Sequence, residues 1–89
     1  MHELSFMADL MRKIIAIANE EGAEKVIGVT ITLGALCHLS AAHLREHFVH
    51  AARGTVAEGA RLTITTLTDA QDPRAQEIVL ESVEVQGEA

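Results

Sequence analysis

The sequence contains very little cysteine. Its single cysteine, Cys37, excludes a disulfide within the chain and any zinc site built from several cysteines of one chain. The N-terminus lacks the n-region and h-region of a signal peptide, and no apolar run is long enough to span a membrane. Together these absences are typical of a protein that remains in a reducing compartment, so we expect a cytoplasmic location.

Aromatic residues and basic clusters are also scarce. The 89 residues include two phenylalanines, Phe6 and Phe48, and no tyrosine or tryptophan, although 48% of the chain is hydrophobic. The core must therefore be mainly aliphatic, and a chain of this length has room for one domain. The net charge of −6 without a Lys or Arg cluster argues against nucleic acid or an anionic membrane as a partner. It favours a cation or an electropositive partner.

Hydrophobic spacing predicts two helices. Residues 5–21 carry apolar side chains at three- and four-residue intervals, which indicates an amphipathic helix with Ser5 as its N-cap and Gly22 after its last turn. A second helix is predicted to begin after Ser40, its N-cap, and to run to about Arg53.

Three segments with alternating or β-branched apolar residues, 25–33, 61–67 and 76–85, predict strands. The alternation changes phase between Leu80 and Val83, which predicts a bulge. The order α-β-α-β-β predicts a right-handed crossover between two parallel strands, and the short link after residue 67 predicts an antiparallel hairpin. The expected fold class is α+β, with two helices packed on a small mixed three-stranded sheet whose edges can recruit a partner or a second copy.

The first three residues, Met1, His2 and Glu3, form a pattern that can chelate a metal. A free Met1 amine, the deprotonated backbone amide of His2 and the His2 imidazole would close two fused chelate rings. Three nitrogens near one plane suit Ni(II) or Cu(II) better than tetrahedral Zn(II), and a fourth position stays open for a carboxylate, a second histidine or a partner. On these residues alone, an exposed chain end without a function is the favoured alternative.

Three further histidines, His43, His47 and His50, lie along one stripe of the second predicted helix. The segment HLREH is not the zinc motif HExxH, because Glu46 directly precedes the second histidine instead of following the first. We interpret these residues as a solvated or half-buried polar stripe, and a metal sensor built on them is a distant alternative.

Other residues that could carry chemistry have simpler interpretations. Cys37 and His38 could form a ligand pair or a nucleophile with a base, but the apolar surroundings favour Cys37 as a small packed residue. Glu77, Glu81 and Glu84 fit the solvent face of the last strand. The sequence also lacks a phosphate-binding glycine loop and a hydrolytic triad, so we predict no catalytic residues and no enzyme activity.

Five motifs spread along the chain are MHELSFM at its start, LGAL at 33–36, RGT at 53–55, AEGARL at 57–62 and LESVEV at 80–85. Together they resemble the HypA/HybF family of nickel metallochaperones. The resemblance implies a role in maturation of nickel-iron hydrogenase and, in some organisms, urease. It also implies that nickel is held by the N-terminal segment, which here is Met1, His2 and Glu3.

The chain departs from this family at one place. Family members carry a zinc domain with two CxxC pairs between the second and the last strand, where this sequence has only the turn 68–74. We therefore expect one nickel-binding-type domain over residues 1–89 and no bound zinc. The four histidines His38, His43, His47 and His50 match no motif position of the family.

Two functions remain as hypotheses. In the first, the N-terminal segment binds Ni(II) weakly enough to release it to a hydrogenase large subunit precursor, together with a GTPase partner of the HypB kind. In the second, the chain is a zinc-less interaction module that docks on a hydrogenase assembly partner through a sheet edge without binding nickel. A homodimer formed by edge pairing or domain exchange is compatible with both.

Overall fold

The fold contains five elements in the predicted order α-β-α-β-β. The computed structural model describes residues 3–87. The elements are α1 (Glu3–Glu20), β1 (Lys25–Leu33), α2 (Ala41–Ala52), β2 (Arg61–Thr66) and β3 (Ile78–Gln86). Two helices with one mixed three-stranded sheet confirm the predicted α+β class. Neither helix within the described range combines the length and the apolar character needed to cross a membrane.

The helix α1 begins earlier than predicted. It already includes Glu3, so Ser5 lies inside the helix and is exposed. An N-cap residue has a non-helical backbone, and Ser5 as the cap of α1 is therefore wrong. The other end agrees with the prediction, because Gly22 adopts a φ of 65° and the Ala23 N–H donates to the Ala18 carbonyl oxygen at 2.9 Å.

Ser40 caps α2 as predicted. Its backbone is extended, and its hydroxyl oxygen accepts a hydrogen bond from the His43 N–H at 3.1 Å. We expect Ser40→Ala to lower the free energy of unfolding by about 1 kcal/mol, because a helix N–H loses its partner. Chemical denaturation followed by circular dichroism measures this loss. The matched control is Ser5→Ala in α1, which should change stability by less than about 0.5 kcal/mol, and equal losses in both variants would contradict the assignment of the cap.

The strand order is β2-β1-β3, so the hairpin predicted between the last two strands is wrong. β1 is parallel to β2, as predicted, and antiparallel to β3. The segment after β2 crosses the end of β1, where the Leu67 N–H donates to the Leu33 oxygen and the Gly34 N–H donates to the Glu77 oxygen, both at 2.8 Å. β1 is the most buried strand, and a central position covers both of its edges, whereas a hairpin of the last two strands would leave one of them exposed.

The predicted bulge is present in β3. Thr30 pairs with Ser82 and the next residue, Ile31, pairs with Leu80, so Glu81 is an extra residue on β3. The extra residue explains the phase change in the sequence, because it lets Leu80 and Val83 face the same side of the sheet.

Both helices pack on one face of the sheet around an aliphatic core. Phe48 is 2% exposed and is the largest fully buried side chain, whereas Phe6 is only half-buried at the border of this core. The rest of the core is as aliphatic as predicted: Met7, Leu10, Met11, Ile14, Ala18, Val26, Val29, Ile31, Leu33, Leu39, Leu44, Ala52, Ala57 and Leu62. The opposite face of the sheet carries threonines and ion pairs, so the two faces differ sharply in polarity.

Candidate metal centre

The predicted nickel ligands lie at the extreme start of the chain. Met1 and His2 are outside the described residues. Glu3 is the first residue of α1, and its side chain is outside the described part as well. The fold therefore defines the anchor of this segment, which is the first turn of α1.

That anchor lies at the end of the sheet where β1 ends. Only residues 21–24 separate α1 from β1, and the chain reverses at Gly22. The helix therefore runs back along the sheet, against which it buries one face from Met7 to Ala18. Residues 34–40 link the end of β1 to α2, so α2 begins at this same end. Both helices thus begin at the same end of the sheet.

One cysteine and two histidines lie in the link and the first turn of α2 at this end of the fold. Cys37 and His38 lie in the link, and His43 lies in the first turn of α2. Cys37 is a free thiol, half-buried against the core, which fits its interpretation as a packed residue. His38 and His43 are exposed.

The remaining histidines continue along α2. Leu44, Phe48 and Ala52 form the buried face of this helix, and the histidine stripe lies beside that face. His43 and His50 are exposed and His47 is half-buried, as expected for a polar stripe. Within residues 3–87, no three His, Cys, Asp or Glu side chains come together in a way that could hold a metal ion. The described residues thus supply additional ligands at most.

The turn that follows β2 is held firmly against the link after β1. The Leu36 N–H donates to the Ala75 oxygen at 2.7 Å, next to the bond between Gly34 and Glu77. Ala75 is buried, and a Cβ atom on Gly34 would lie 2.2 Å from the Ala75 oxygen. The turn therefore packs directly on the backbone of the glycine in the LGAL motif. This close approach was missed by sequence reasoning, for which that glycine was only the end of a strand.

The carboxylates predicted for the solvent face do lie there, and two of them are paired. Glu81 accepts hydrogen bonds from the Thr32 hydroxyl at 2.7 Å and from Arg74 Nη1 at 3.3 Å. Glu84 pairs with Arg61 at 2.6 Å, and the two side chains meet above Gly28. All of these charged side chains are exposed, so each pair contributes little to stability. They nevertheless determine which charges the open face of the sheet presents.

Comparison with known sequences identifies relatives of this chain. Residues 1–85 match the family model described as "Hydrogenase/urease nickel incorporation, metallochaperone, hypA". The hydrogenase maturation factor HypA of Chlorobaculum tepidum is 39% identical over 64 residues, which are 72% of this chain and 57% of that protein. The HypA of Archaeoglobus fulgidus is 37% identical over 65 residues, or 73% and 59% of the two chains. The chain thus spans less than two thirds of the length of these curated relatives.

A solved structure shares the fold. The solution structure of the Ni metallochaperone HypA from Helicobacter pylori superposes with a TM-score of 0.82 at 19% sequence identity. The superposition covers 99% of this chain and 100% of the other. The arrangement of two helices on a mixed sheet is therefore common to both proteins.

Proposed function

Because the chain belongs to the HypA family of hydrogenase and urease nickel-incorporation proteins, we propose that it binds Ni(II) and delivers it during maturation of a nickel-iron hydrogenase. The observation that carries this proposal is the extent of the family match, which begins at residue 1 and so includes Met1, His2 and Glu3. In this role nickel is a cargo to be passed on, and the protein itself catalyses no reaction.

The chemistry of the first residues suits a cargo that must be released. The Met1 amine, the His2 amide nitrogen and the His2 imidazole would hold Ni(II) in a plane, with Glu3 beside them. The positive end of the α1 dipole opposes a bound cation, and the negative charge of the deprotonated amide offsets this effect. One coordination position stays open, through which an accepting protein can begin to remove the metal.

The proposal includes the absence of a zinc site. The turn 68–74 occupies the place where the HypA/HybF resemblance implies a zinc domain, and residues 1–89 would act as one nickel-binding-type domain. The hydrogen bonds of Gly34 and Leu36 to Glu77 and Ala75 hold this turn against the end of β1, which supports a fold that does not depend on zinc. We therefore expect the isolated chain to retain its fold in the presence of a zinc chelator.

The proposed partners follow from the direction of transfer. A hydrogenase large subunit precursor would receive the nickel, and a GTPase of the HypB kind would assist its loading or release. The acidic net charge of −6 suits both a cation cargo and basic docking surfaces on these partners.

A second candidate function is favoured by the sheet. β3 lies at its edge and can accept a further strand, which supports an interaction module that docks on an assembly partner without nickel. In that case the affinity for the partner should be the same with or without nickel, and unchanged by His2→Ala.

Nickel titration of the protein with an untagged Met1 tests the metal proposal. The comparison is the same chain with the Met1 amine acetylated, which keeps every side chain but removes the amine as a ligand. Loss of an outer-shell partner alone costs about 10- to 100-fold in metal affinity. Loss of a direct ligand should therefore weaken nickel binding by at least about tenfold. Isothermal calorimetry gives both affinities.

The matched control for this titration is the double variant His43→Ala/His47→Ala, which should leave nickel affinity unchanged. Equal binding by the native and the acetylated protein would contradict the N-terminal chelate. If the double variant alone lost affinity, the site would lie on α2. No binding by any of the three proteins would overturn the nickel proposal and favour the interaction module.

A further inference from the structure

The two edges of the sheet differ in how they are protected. Backbone groups along a strand point alternately to its two sides. The Leu67 N–H points to β1, where it donates to Leu33, so the even-numbered residues of β2 point to the outer side. One of these is Leu62, whose carbonyl oxygen accepts a hydrogen bond from Arg45 Nη1 of α2 at 2.9 Å. A side chain therefore occupies the β2 edge, and a strand added there would have to displace it.

The β3 edge is longer and has no such side chain among the described residues. The oxygens of Glu77 and Gln86 point to the β1 side, where they accept from Gly34 and Glu24. Between them the bulge at Glu81 shifts the alternation by one residue. The outward backbone groups are consequently those of Ile78, Leu80, Val83 and Val85. Their N–H and C=O groups are free to pair with another strand, because β3 has only β1 as a neighbour in residues 3–87.

The side chains of these same four residues lie on the helix side of the sheet. Their partners across the strands are four buried residues of β1: Leu33, Ile31, Val29 and Val26. The four are only half-buried, whereas Leu62 of β2 is buried. Ile64 of β2 is half-buried as well, so aliphatic side chains reach solvent at one position of the β2 edge and at four positions along β3, where an added strand would cover them.

The charge of β3 determines which kind of strand can pair with its outer edge. β3 contains two carboxylates, Glu81 and Glu84, and no basic residue, and Glu77 directly precedes it. Arg61 pairs with Glu84 from the inner side, across Gly28, and Arg74 pairs with Glu81. Three carboxylates along this strand thus face two arginines, and a strand added outside β3 would place alternate side chains beside an excess of negative charge.

We propose that the outer edge of β3 is the docking site for an extended segment of another protein in which aliphatic residues alternate with Lys or Arg. Its aliphatic side chains would pack beside Ile78, Leu80, Val83 and Val85, and its basic side chains would lie beside Glu81 and Glu84. Such pairing adds main-chain hydrogen bonds, apolar burial and opposite-charge contacts at once. A second copy of this chain fits less well, because two β3 strands would bring like charges together.

Hydrogen exchange measured by NMR on the full chain tests this proposal. The probe is a nine-residue peptide of alternating Val and Lys, and the matched peptide has Glu in place of Lys. We expect the Lys peptide to slow exchange of the Ile78, Leu80, Val83 and Val85 amides by at least about tenfold, as a new hydrogen-bonded strand would. The outward amide of Ile64 in β2 should not change, and the Glu peptide should have no effect.

Two proline variants distinguish the edges. The Val83 N–H points outward, so Val83→Pro removes a docking donor while every hydrogen bond to β1 is kept, and prolines are tolerated at such positions of edge strands. Ile64→Pro does the same on β2 and serves as the matched control. Val83→Pro should abolish peptide binding, and Ile64→Pro should preserve it.

If circular dichroism shows that Val83→Pro does not fold, the native protein is titrated instead with the Lys peptide carrying N-methyl groups on alternate amides. One of the two methylation registers should bind and the other should not. Equal binding of the Lys and Glu peptides, undiminished binding to folded Val83→Pro, or indifference to both methylation registers would overturn the proposal. Protection of the same four amides that rises with protein concentration in the absence of peptide would overturn it in favour of a second copy.

Discussion

Replacing Phe48 with alanine should lower the free energy of unfolding by about 3–5 kcal/mol. Phe48 is 2% exposed and is the largest side chain of a core that is otherwise aliphatic. Its removal deletes apolar contact and leaves a cavity between α2 and the sheet, which neighbouring side chains fill only in part. A chain of this length has a free energy of unfolding of about 4–13 kcal/mol, at 0.05–0.15 kcal/mol per residue. The substitution should therefore remove a large part of the stability of the folded state.

Urea denaturation followed by circular dichroism measures this loss. The matched control is Val49→Ala at the next position of the same helix, where the side chain is 52% exposed. We expect this control to change stability by less than about 0.5 kcal/mol. Because alanine is a better helix former than either phenylalanine or valine, helix propensity cannot lower stability in these variants. A similar loss in both would therefore contradict the burial of Phe48 as the source of its large effect.

The second large effect is expected at Gly34. A Cβ atom there would lie 2.2 Å from the Ala75 oxygen and 2.3 Å from the Arg74 oxygen, which are both backbone atoms and cannot turn aside. Gly34→Ala must therefore push the turn after β2 away from the link, with loss of the hydrogen bonds to Glu77 and Ala75. We expect Gly34→Ala to lower the free energy of unfolding by about 3 kcal/mol, which is the upper end of the range for overpacked sites.

Gly59→Ala is the control for Gly34→Ala, because it separates lack of space from backbone conformation. Gly59 has a φ of +81° and an added Cβ would have no neighbour within 4 Å, whereas Gly34 lacks space without having a positive φ. Gly59→Ala should lower the free energy of unfolding by about 1–2 kcal/mol, because alanine is strained in the left-handed backbone conformation of residue 59. Thermal and urea unfolding of both variants give the comparison. If Gly34→Ala cost no more than Gly59→Ala, the close packing of the turn on Gly34 would be refuted.

Much of the local structure was predictable because it depends on neighbouring residues. The apolar spacing of α1, the alternation in β1 and the glycine at position 22 placed these elements to within a few residues. Ser40 was recognised as a cap because a hydroxyl residue stands immediately before a helical pattern. Ser5 was misjudged by the same rule, because the helix continues toward the N-terminus through Glu3 and a cap residue by itself does not show which turn is the first.

For the candidate metal site, too, one part was predictable from the sequence and another depends on the fold. The proposed ligands Met1, His2 and Glu3 were named from the sequence, because the chemistry depends on three consecutive residues. The placement of the other histidines depends on the fold, since α1 and α2 begin at the same end of the sheet. Only this arrangement sets Cys37, His38 and His43 apart from His50, which lies near the far end of α2.

The sequence by itself determined which segments are helices and strands, which faces they bury and where β3 bulges, and it supplied the proposed nickel ligands. The tertiary structure alone decided that β3 lies beside β1, that the turn packs on Gly34 and that Arg45 occupies one sheet edge while the other stays open. The physical reason is that hydrophobic periodicity specifies the face of a strand but not its neighbour. Neighbours are selected by contacts between residues far apart in the chain, and here they place the most buried strand at the centre.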